Sequence, residues 1–351
     1  MILITGSGGL IGSSAVEYYC SKGKDVIGID NDSRKLFFGQ EASVVTTLET
    51  LSVDFLNNFT NHSIDIANSE SIDQIFAKYN TDIEAVIHTA AQPSHDWASK
   101  DPKLDLNINL LGTSNLLESC RKYSPDAVFV FCSTNKVYGD RPNQFDYIKH
   151  GDRLEPMNNE PFFHRGFDET LSIDQCTHSL FGASKLGADI LVQEYGRYFG
   201  MRTGCFRGGC LTGWRHRGAK LHGFLSFLIK KSLITKEFSI IGYDGLQVRD
   251  NIDADDVICA FDSFINRPSS GAVFNLGGGR ENSISVLEAL RLCEQLFSIK
   301  IDIQYDDVPR IGDHKWWISD MSKFLNSYPE FSISKSLNDI FIEIGEAVIG
   351  E

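Results

Sequence analysis

The chain has 351 residues, with 33 basic against 47 acidic side chains and a formal net charge of −14. That balance argues against nucleic acid or an anionic membrane as partner, so an anionic ligand has to be gripped by a few local cations. Hydrophobic content of 42% with 23% charged residues is that of a soluble globular protein, and no apolar run reaches membrane-spanning length.

A short apolar run from Ile2 to Ile4 reads as a buried strand, and glycines at Gly6, Gly9 and Gly12 lead into a helix-like stretch over 13–22. A second apolar run, Val26 to Ile29, ends in Asp30. Strand, glycine-rich turn, helix, strand and acid together point to a dinucleotide. The glycines permit a tight turn, close approach to a pyrophosphate, and close packing of helix on strand. The helix start offers N–H groups and its dipole to phosphate charge. Asp30 stands where a carboxylate accepts from ribose hydroxyls and repels a 2′-phosphate, which predicts NAD rather than NADP.

Residues 31–61 read as a loop, long for an α/β connection. Residues 64–66 read as a strand end and 71–78 as a helix. Ala85 to His88 is a buried strand running into Thr89-Ala90-Ala91-Gln92, small residues that suit a ligand lying close above the backbone. Helical periodicity covers 104–123, with Asn107 and Asn109 near its start, and a core strand over 127–131 ends in Cys132-Ser133-Thr134. This alternation predicts right-handed crossovers and a parallel sheet, with ligands at the carboxyl ends of its strands, where Gly6, Asp30, Ala90 and Thr134 fall.

Residues 138–179 lack clean periodicity and read as a lid or substrate loop. A helix follows over 181–199 with Lys185 on its first turns, then a strand over 201–207 and Gly208. Later elements are shorter: helices over 224–233, 254–265 and 285–297, strands over 238–241, 272–276 and 301–305. The expected fold is α/β, a Rossmann-type doubly wound parallel sheet with a smaller C-terminal substrate-binding lobe. The expected division is a NAD-binding domain over 1–200, to which a segment near 238–260 is a candidate to return, and a lobe over 201–351. Eight cysteines are scattered without a CxxC pair, which predicts free thiols in a reducing cytoplasm and no structural metal. The first residues enter a strand directly, without the pattern of a signal peptide.

Several motifs together resemble the extended short-chain dehydrogenase/reductase superfamily, the NAD-dependent sugar epimerases and dehydratases. They are Thr5 to Gly12, Asp65-Ile66, His88 to Ala91, Asn109 with Gly112-Thr113, Ser133 to Gly139, Gly182 to Lys185, Arg249-Asp250 and Asn275 to Gly278. The run Ser133-Thr134-Asn135-Lys136-Val137-Tyr138-Gly139 resembles the CDP-paratose (CDP-tyvelose) 2-epimerase branch more than the UDP-galactose 4-epimerase branch. The resemblance implies transient oxidation and re-reduction of a sugar carbon on a nucleotide-diphosphate sugar. It also implies a homodimer formed through the helices over 104–123 and 181–199. Implied cofactor contacts are Gly6, Gly9, Leu10, Ile11, Gly12, Asp30, Asn31, Asp65, Ile66, Ala90, Ala91, Gln92, Asn109 and Lys185. Implied substrate contacts are Thr134, Lys136, Arg207, Gly208, Arg249 and Arg310, the arginines suiting phosphate oxygens. Tyr138 reads as a sugar contact or a packed aromatic, and Trp316-Trp317 as core.

The family's base is a tyrosine four residues before a lysine. One helical turn puts both on one face, and the ammonium lowers the phenol's pKa. Here the lysine is Lys185, but position 181 is phenylalanine, which carries no proton. Three readings follow: an engineered replacement, a natural enzyme using another base, or a protein that binds nucleotide sugar without turning it over. The second is favoured, with His178, Asp168, His164 and Lys136 as candidates, His178 having a suitable intrinsic pKa. The enzymatic alternatives are a 4-epimerase and a 4,6-dehydratase. The acid pair a dehydratase needs after Thr134 is replaced by Asn135-Lys136.

Overall fold

The computed structural model describes residues 1–216, 223–306 and 312–350. The chain forms two compact units. One is built from Met1–Val137, Leu180–Arg207 and Val257–Phe274, the other from Tyr138–Ser179, Gly208–Asp256 and Asn275–Glu351. The segment that returns to the first unit is thus 257–274, whereas 238–256 stays in the second.

The first stretch runs β1 (Ile2–Thr5), α1 (Leu10–Ser21), β2 (Val26–Ile29), α2 (Arg34–Phe38), α3 (Val45–Asp54), β3 (Phe59–His62), α4 (Ser69–Tyr79) and β4 (Ala85–His88). It continues through α5 (His95–Lys100), α6 (Pro102–Leu106), α7 (Gly112–Tyr123) and β5 (Val128–Thr134). Then come β6 (Tyr147–His150), β7 (Arg153–Pro156), α8 (Ser179–Phe199), β8 (Arg202–Gly208), β9 (Cys210–Thr212), α9 (Phe224–Thr235), β10 (Glu237–Ile241), β11 (Val248–Asp253), α10 (Ala254–Asn266) and β12 (Ala272–Leu276). The last stretch holds β13 (Ser283–Ser285), α11 (Val286–Phe297), β14 (Asp302–Asp306), β15 (Trp316–Trp317), α12 (Ser322–Ser327) and α13 (Leu337–Gly350).

A seven-stranded sheet in the order β12-β8-β5-β4-β1-β2-β3 organises the first unit. β1 pairs in parallel with β2 and β4, and β4 with β5. All four residues of β1, β2 and β4 are buried, which is why these strands read as continuous apolar runs rather than alternating ones. Leu3, Ile27, Val86, Phe129, Leu116 and Val192 belong to one core beneath the helices. The strand order reverses at β1, with β2 on one side and β4 on the other. This is the switch point at whose carboxyl side doubly wound folds bind ligands. The second unit has its own core, including Leu228, Ile240, Leu290 and Phe341. There β11 lies between β13 and β15 and also pairs with β9, while β10 pairs with β14.

Four local expectations are corrected. Residues 31–61 are not a loop: they hold α2, α3 and β3. Leu51 is the only buried residue within α3, so its apolar stripe is faint. Its start is held from a distance, by Val44 N–H donating to the Asp32 carboxylate at 2.8 Å. The strand expected at 64–66 lies earlier, at β3, where Phe59 alone is buried. The helix expected over 104–123 is broken by one wide turn, Asn107–Leu111, between α6 and α7. The presumed loop over 138–179 contains the hairpin β6–β7. β11 went unseen because it is a polar sequence, Val248-Arg249-Asp250-Asn251-Ile252-Asp253, buried at every position.

Candidate active site

The turn after β1 is made by backbone. Gly6 has φ +70°, and a Cβ there would lie 2.9 Å from the Ala90 nitrogen. A Cβ on Gly12 would lie 2.0 Å from the Gly6 carbonyl oxygen, so α1 packs on the turn at a distance that admits only glycine. Gly9 differs: a Cβ there would meet only the Gly6 oxygen, at 3.3 Å. Gly9 stands at the N-cap of α1 and brings no side chain to the first-turn amides of Leu10, Ile11 and Gly12. Such a helix start attracts an anion. Gly8 N–H donates to Asp30 Oδ2 at 3.0 Å and Asp32 N–H to Asp30 Oδ1 at 2.8 Å. Desolvation pushes the Asp30 carboxyl upward against these two amides. Burial pushes the Arg34 guanidinium down to about 10, opposed by the Asp30 charge. Asn31 accepts from Ser33 N–H at 3.1 Å. Asp65 is exposed and accepts from Ala67 N–H, while Ile66 is core beneath Gly112. The turn leaves a side-chain-free approach at Gly9, an uncapped helix start and a carboxylate at the end of β2. These features fit the pyrophosphate and adenosine ribose of NAD.

The end of β4 carries a buried polar network. His88 sits between Thr5 Oγ1 at 2.7 Å and Thr113 Oγ1 at 2.9 Å, and desolvation holds its pKa well below the usual imidazole range. Beyond Ala90 and Ala91, Gln92 N–H donates to Asn109 Oδ1 at 2.9 Å. The Asn109 amide donates in turn to Gln92 O, Asp105 Oδ1 and Ser184 Oγ, at 3.0, 3.0 and 3.1 Å. The Gln92 side chain also bonds Asp105 Oδ1 at 2.7 Å and brackets Ser94 through its carbonyl and N–H. Asn109 lies within the wide turn over 107–111. Ser184 donates to Phe181 O at 3.0 Å, which ties the network to α8.

Phe181 and Lys185 lie one turn apart on α8, both buried, at 8% and 4% exposure. Lys185 Nζ donates to the Cys132 carbonyl at 3.0 Å and stands 4.1 Å above the Phe131 ring. Burial pushes its pKa down to about 8. Thr134, at the end of β5, is half-buried and accepts from Lys136 N–H at 3.2 Å. Against the Phe181 ring stands His95, with centroids 4.9 Å apart and planes at 62°. Sequence reading missed His95. The available signal was its place in the first turn of a helix just after a strand's carboxyl end, behind the Ser94 N-cap.

Most of the remaining expected site residues have partners of their own. Arg207 is 5% exposed and turns its fork to Asp189, at 3.1 and 2.8 Å. Ser133 donates to the same carboxylate at 2.6 Å. This buried ion pair, rather than a phosphate grip, is the placement of Arg207. In the second unit, Arg249 bonds the Asp313 carboxylate and donates to Val248 O at 2.7 Å. Gly208 closes β8, and Lys136 is half-buried. His178 packs on Cys176, with Nε2 3.7 Å from Sγ. Tyr138 is fully buried, donates to Asn275 Oδ1 at 2.8 Å and stacks on Trp317. Trp316 and Trp317 are both fully buried. Arg310 lies outside the described residues.

Residues 2–277 match the model of the NAD dependent epimerase/dehydratase family. The CDP-paratose 2-epimerase of Salmonella typhi is 33% identical over 334 residues, covering 93% of each chain. The UDP-glucuronate 4-epimerase of Thermodesulfobacterium geofontis is 28% identical over 341 residues, covering 95% of this chain and 93% of that one. Among solved structures, the UDP-glucuronic acid 4-epimerase of Bacillus cereus in complex with UDP-glucuronic acid and NAD superposes with a TM-score of 0.80. It is 25% identical, and 99% of each chain is covered. A tyrosine-to-phenylalanine mutant of that enzyme, in complex with UDP-4-deoxy-4-fluoro-glucuronic acid and NAD, superposes equally well.

Proposed function

Since this chain belongs to the NAD dependent epimerase/dehydratase family, we propose that it is a nucleotide-sugar epimerase of the CDP-paratose 2-epimerase type. The observation that carries the reading is the placement of Thr134, Phe181 and Lys185 in the unit that holds the Gly6–Gly12 turn. NAD, when bound, supplies the acceptor and then the donor of a hydride for one sugar carbon.

The chain's own residues do the rest. The first-turn amides of α1 hold the pyrophosphate, and Asp30 holds the adenosine ribose and selects against a 2′-phosphate. Leu10, Ile11, Asn31, Asp65, Ile66, Ala90, Ala91, Gln92 and Asn109 line or support that path. Lys185 keeps a positive charge at neutral pH, because about 8 is still above it, and it bonds the nicotinamide ribose. Thr134 bonds the reacting sugar oxygen. Arg249, Arg310, Lys136 and Gly208 belong to the proposed grip on the substrate. Phe181 occupies the place of the family tyrosine and holds no proton, so another group must. A homodimer through α6, α7 and α8 is part of the proposal, supported by the exposed apolar residues Leu106 on α6, Leu111 in the wide turn before α7, and Leu180 and Ile190 on α8.

The test is to load the protein with NAD, add CDP-paratose, CDP-glucose, UDP-glucuronic acid or GDP-mannose, and follow the sugar ring protons by NMR. Inversion at C2 of CDP-paratose is the expected result. Inversion at C4 of a UDP-sugar overturns the 2-epimerase reading. The second reading, binding without turnover, is favoured by Phe181 alone. It predicts that each sugar nucleotide is inert with the protein as it stands and with Phe181→Tyr.

A further inference from the structure

A sugar hydroxyl that becomes a carbonyl must give up a proton and later regain it. On the epimerase reading above, something in the first unit has to carry that proton, and Phe181 has no atom for it. The Lys185 ammonium is already engaged, donating to Cys132 O over the face of Phe131. Asp105 is 1% exposed and already takes the Gln92 and Asn109 amides on one oxygen. His88 is sealed between two threonine hydroxyls.

We infer that His95 is the acid–base residue of this pocket, standing in for the absent phenol. Its ring meets the Phe181 ring edge-on with centroids 4.9 Å apart, and it is half-buried, so it retains a path to a ligand. Its position is set from both sides. Ser94 caps α5 by accepting from Trp97 N–H at 3.2 Å, and the Gln92 side chain clasps Ser94 through two hydrogen bonds. Through Asn109 and Ser184 the same network reaches the Phe181 carbonyl. The backbone just before His95 and the backbone carbonyl of Phe181 are therefore joined through one set of hydrogen bonds. Imidazole exchanges a proton near neutral pH without help from a neighbouring ammonium.

The step balances. The sugar O–H bond breaks and its proton bonds to the unprotonated imidazole nitrogen, while the O–H electron pair becomes the second C–O bond. With NAD bound, the cofactor would supply the acceptor of the C–H electron pair and then its donor toward the opposite face of the carbonyl carbon; the imidazolium gives its proton back to the oxygen.

The test compares the wild-type holoenzyme with His95→Gln, His95→Asn, Phe181→Tyr and the double variant H95Q/F181Y on CDP-paratose. NAD content and melting temperature are checked for each, so that loss of fold is not read as loss of a base. His95→Gln is expected to lose about 10²–10⁴-fold in kcat, and Phe181→Tyr to restore turnover in the His95→Gln background. A readout without turnover is the imidazole itself. In ¹⁵N-histidine protein loaded with NAD, the His95 signals, identified by their loss in His95→Gln, shift with CDP-paratose and not with CDP. Full activity of both His95 variants, or His95 signals that CDP-paratose leaves unmoved, overturns the assignment. Inertness of wild type and Phe181→Tyr alike is instead the failure of the epimerase reading, and the imidazole response then decides His95 on its own.

Discussion

Two strand ends in the first unit build their proposed sites by opposite means. After β1 the site is backbone: Gly6 takes a left-handed turn, Gly12 lets α1 touch the Gly6 carbonyl, and Gly9 leaves its side open. After β5 the site is side chains, with Thr134 at the strand end, Phe181 and Lys185 on α8, and His95 packed in from α5. A backbone site is fixed by steric contact, most tightly at Gly12. A side-chain site is fixed by a network, and a proton carrier can move to another residue while the scaffold stays. The chemistry of the second site can therefore drift where that of the first cannot.

Gly12→Val breaks the comparison hardest if the account of the turn is wrong. Its Cβ would stand 2.0 Å from a backbone oxygen that cannot rotate away. The variant is expected to purify without NAD and to lose about 1–3 kcal/mol of stability, in the range of overpacking. Released NAD per chain and urea melts measure both; retention of a full complement of NAD refutes the steric account. Lys185→Met comes next, with turnover expected to fall at least about 100-fold. Its stability should move the other way. Burial depresses the folded pKa of Lys185 to about 8, so the charged form is disfavoured in the native state. The unfolded chain binds more protons between pH 8 and its own value near 10.4, so wild-type stability rises with pH across that window. Urea melts of the apoprotein should gain about 2 kcal/mol from this residue between pH 7 and pH 9.5. Lys185→Met should lack that rise and be the more stable of the two at pH 7.

The contrast between the two strand ends also decided what could be read from sequence. The cradle was legible because its information is local: Gly6, Gly9, Gly12 and Asp30 sit within one strand–turn–helix–strand unit, and buried parallel strands show as apolar runs. Lys185 and the phenylalanine at 181 were legible through the family resemblance, and helical spacing put them on one face. His95 was not, because nothing near it in the chain announces contact with α8; the link runs through Gln92, Asn109 and Ser184. Arg207 was misread as a phosphate grip because its partner, Asp189, lies on a different element. The residue that holds the start of α3, Asp32, is remote and the apolar stripe faint. β11 was invisible because its polar side chains are buried at every position, Asp250 for one accepting from Ser319 N–H at 2.9 Å.

Asn109→Ala probes the network that joins the two kinds of site. It removes the shared donor to Gln92, Asp105 and Ser184 and leaves buried groups without partners. A loss of about 2–3 kcal/mol in urea melts is expected, along with lower turnover, because both the Gln92–His95 segment and the Phe181 turn lose their tie. An unchanged melt with unchanged turnover removes the network from the account.

The smallest effect on folding is expected from Gly9→Ala, and it is the sharpest test of what the open side of the turn is for. Gly9 has φ −74°, which alanine adopts without strain, and its Cβ would meet only the Gly6 oxygen at 3.3 Å. Stability should change by less than about 1 kcal/mol, the scale of a helix-cap substitution. The added methyl nevertheless stands where the pyrophosphate has to approach the first-turn amides, so NAD should bind at least about tenfold more weakly by calorimetry on the apoprotein, a difference of about 1.4 kcal/mol. Gly12→Val and Gly9→Ala thus separate two roles three residues apart: one glycine is required by the fold, the other by the ligand. If Gly9→Ala binds NAD as the wild type does, the open face of the turn is not the phosphate site, and the cofactor end of the proposed site has to be placed elsewhere.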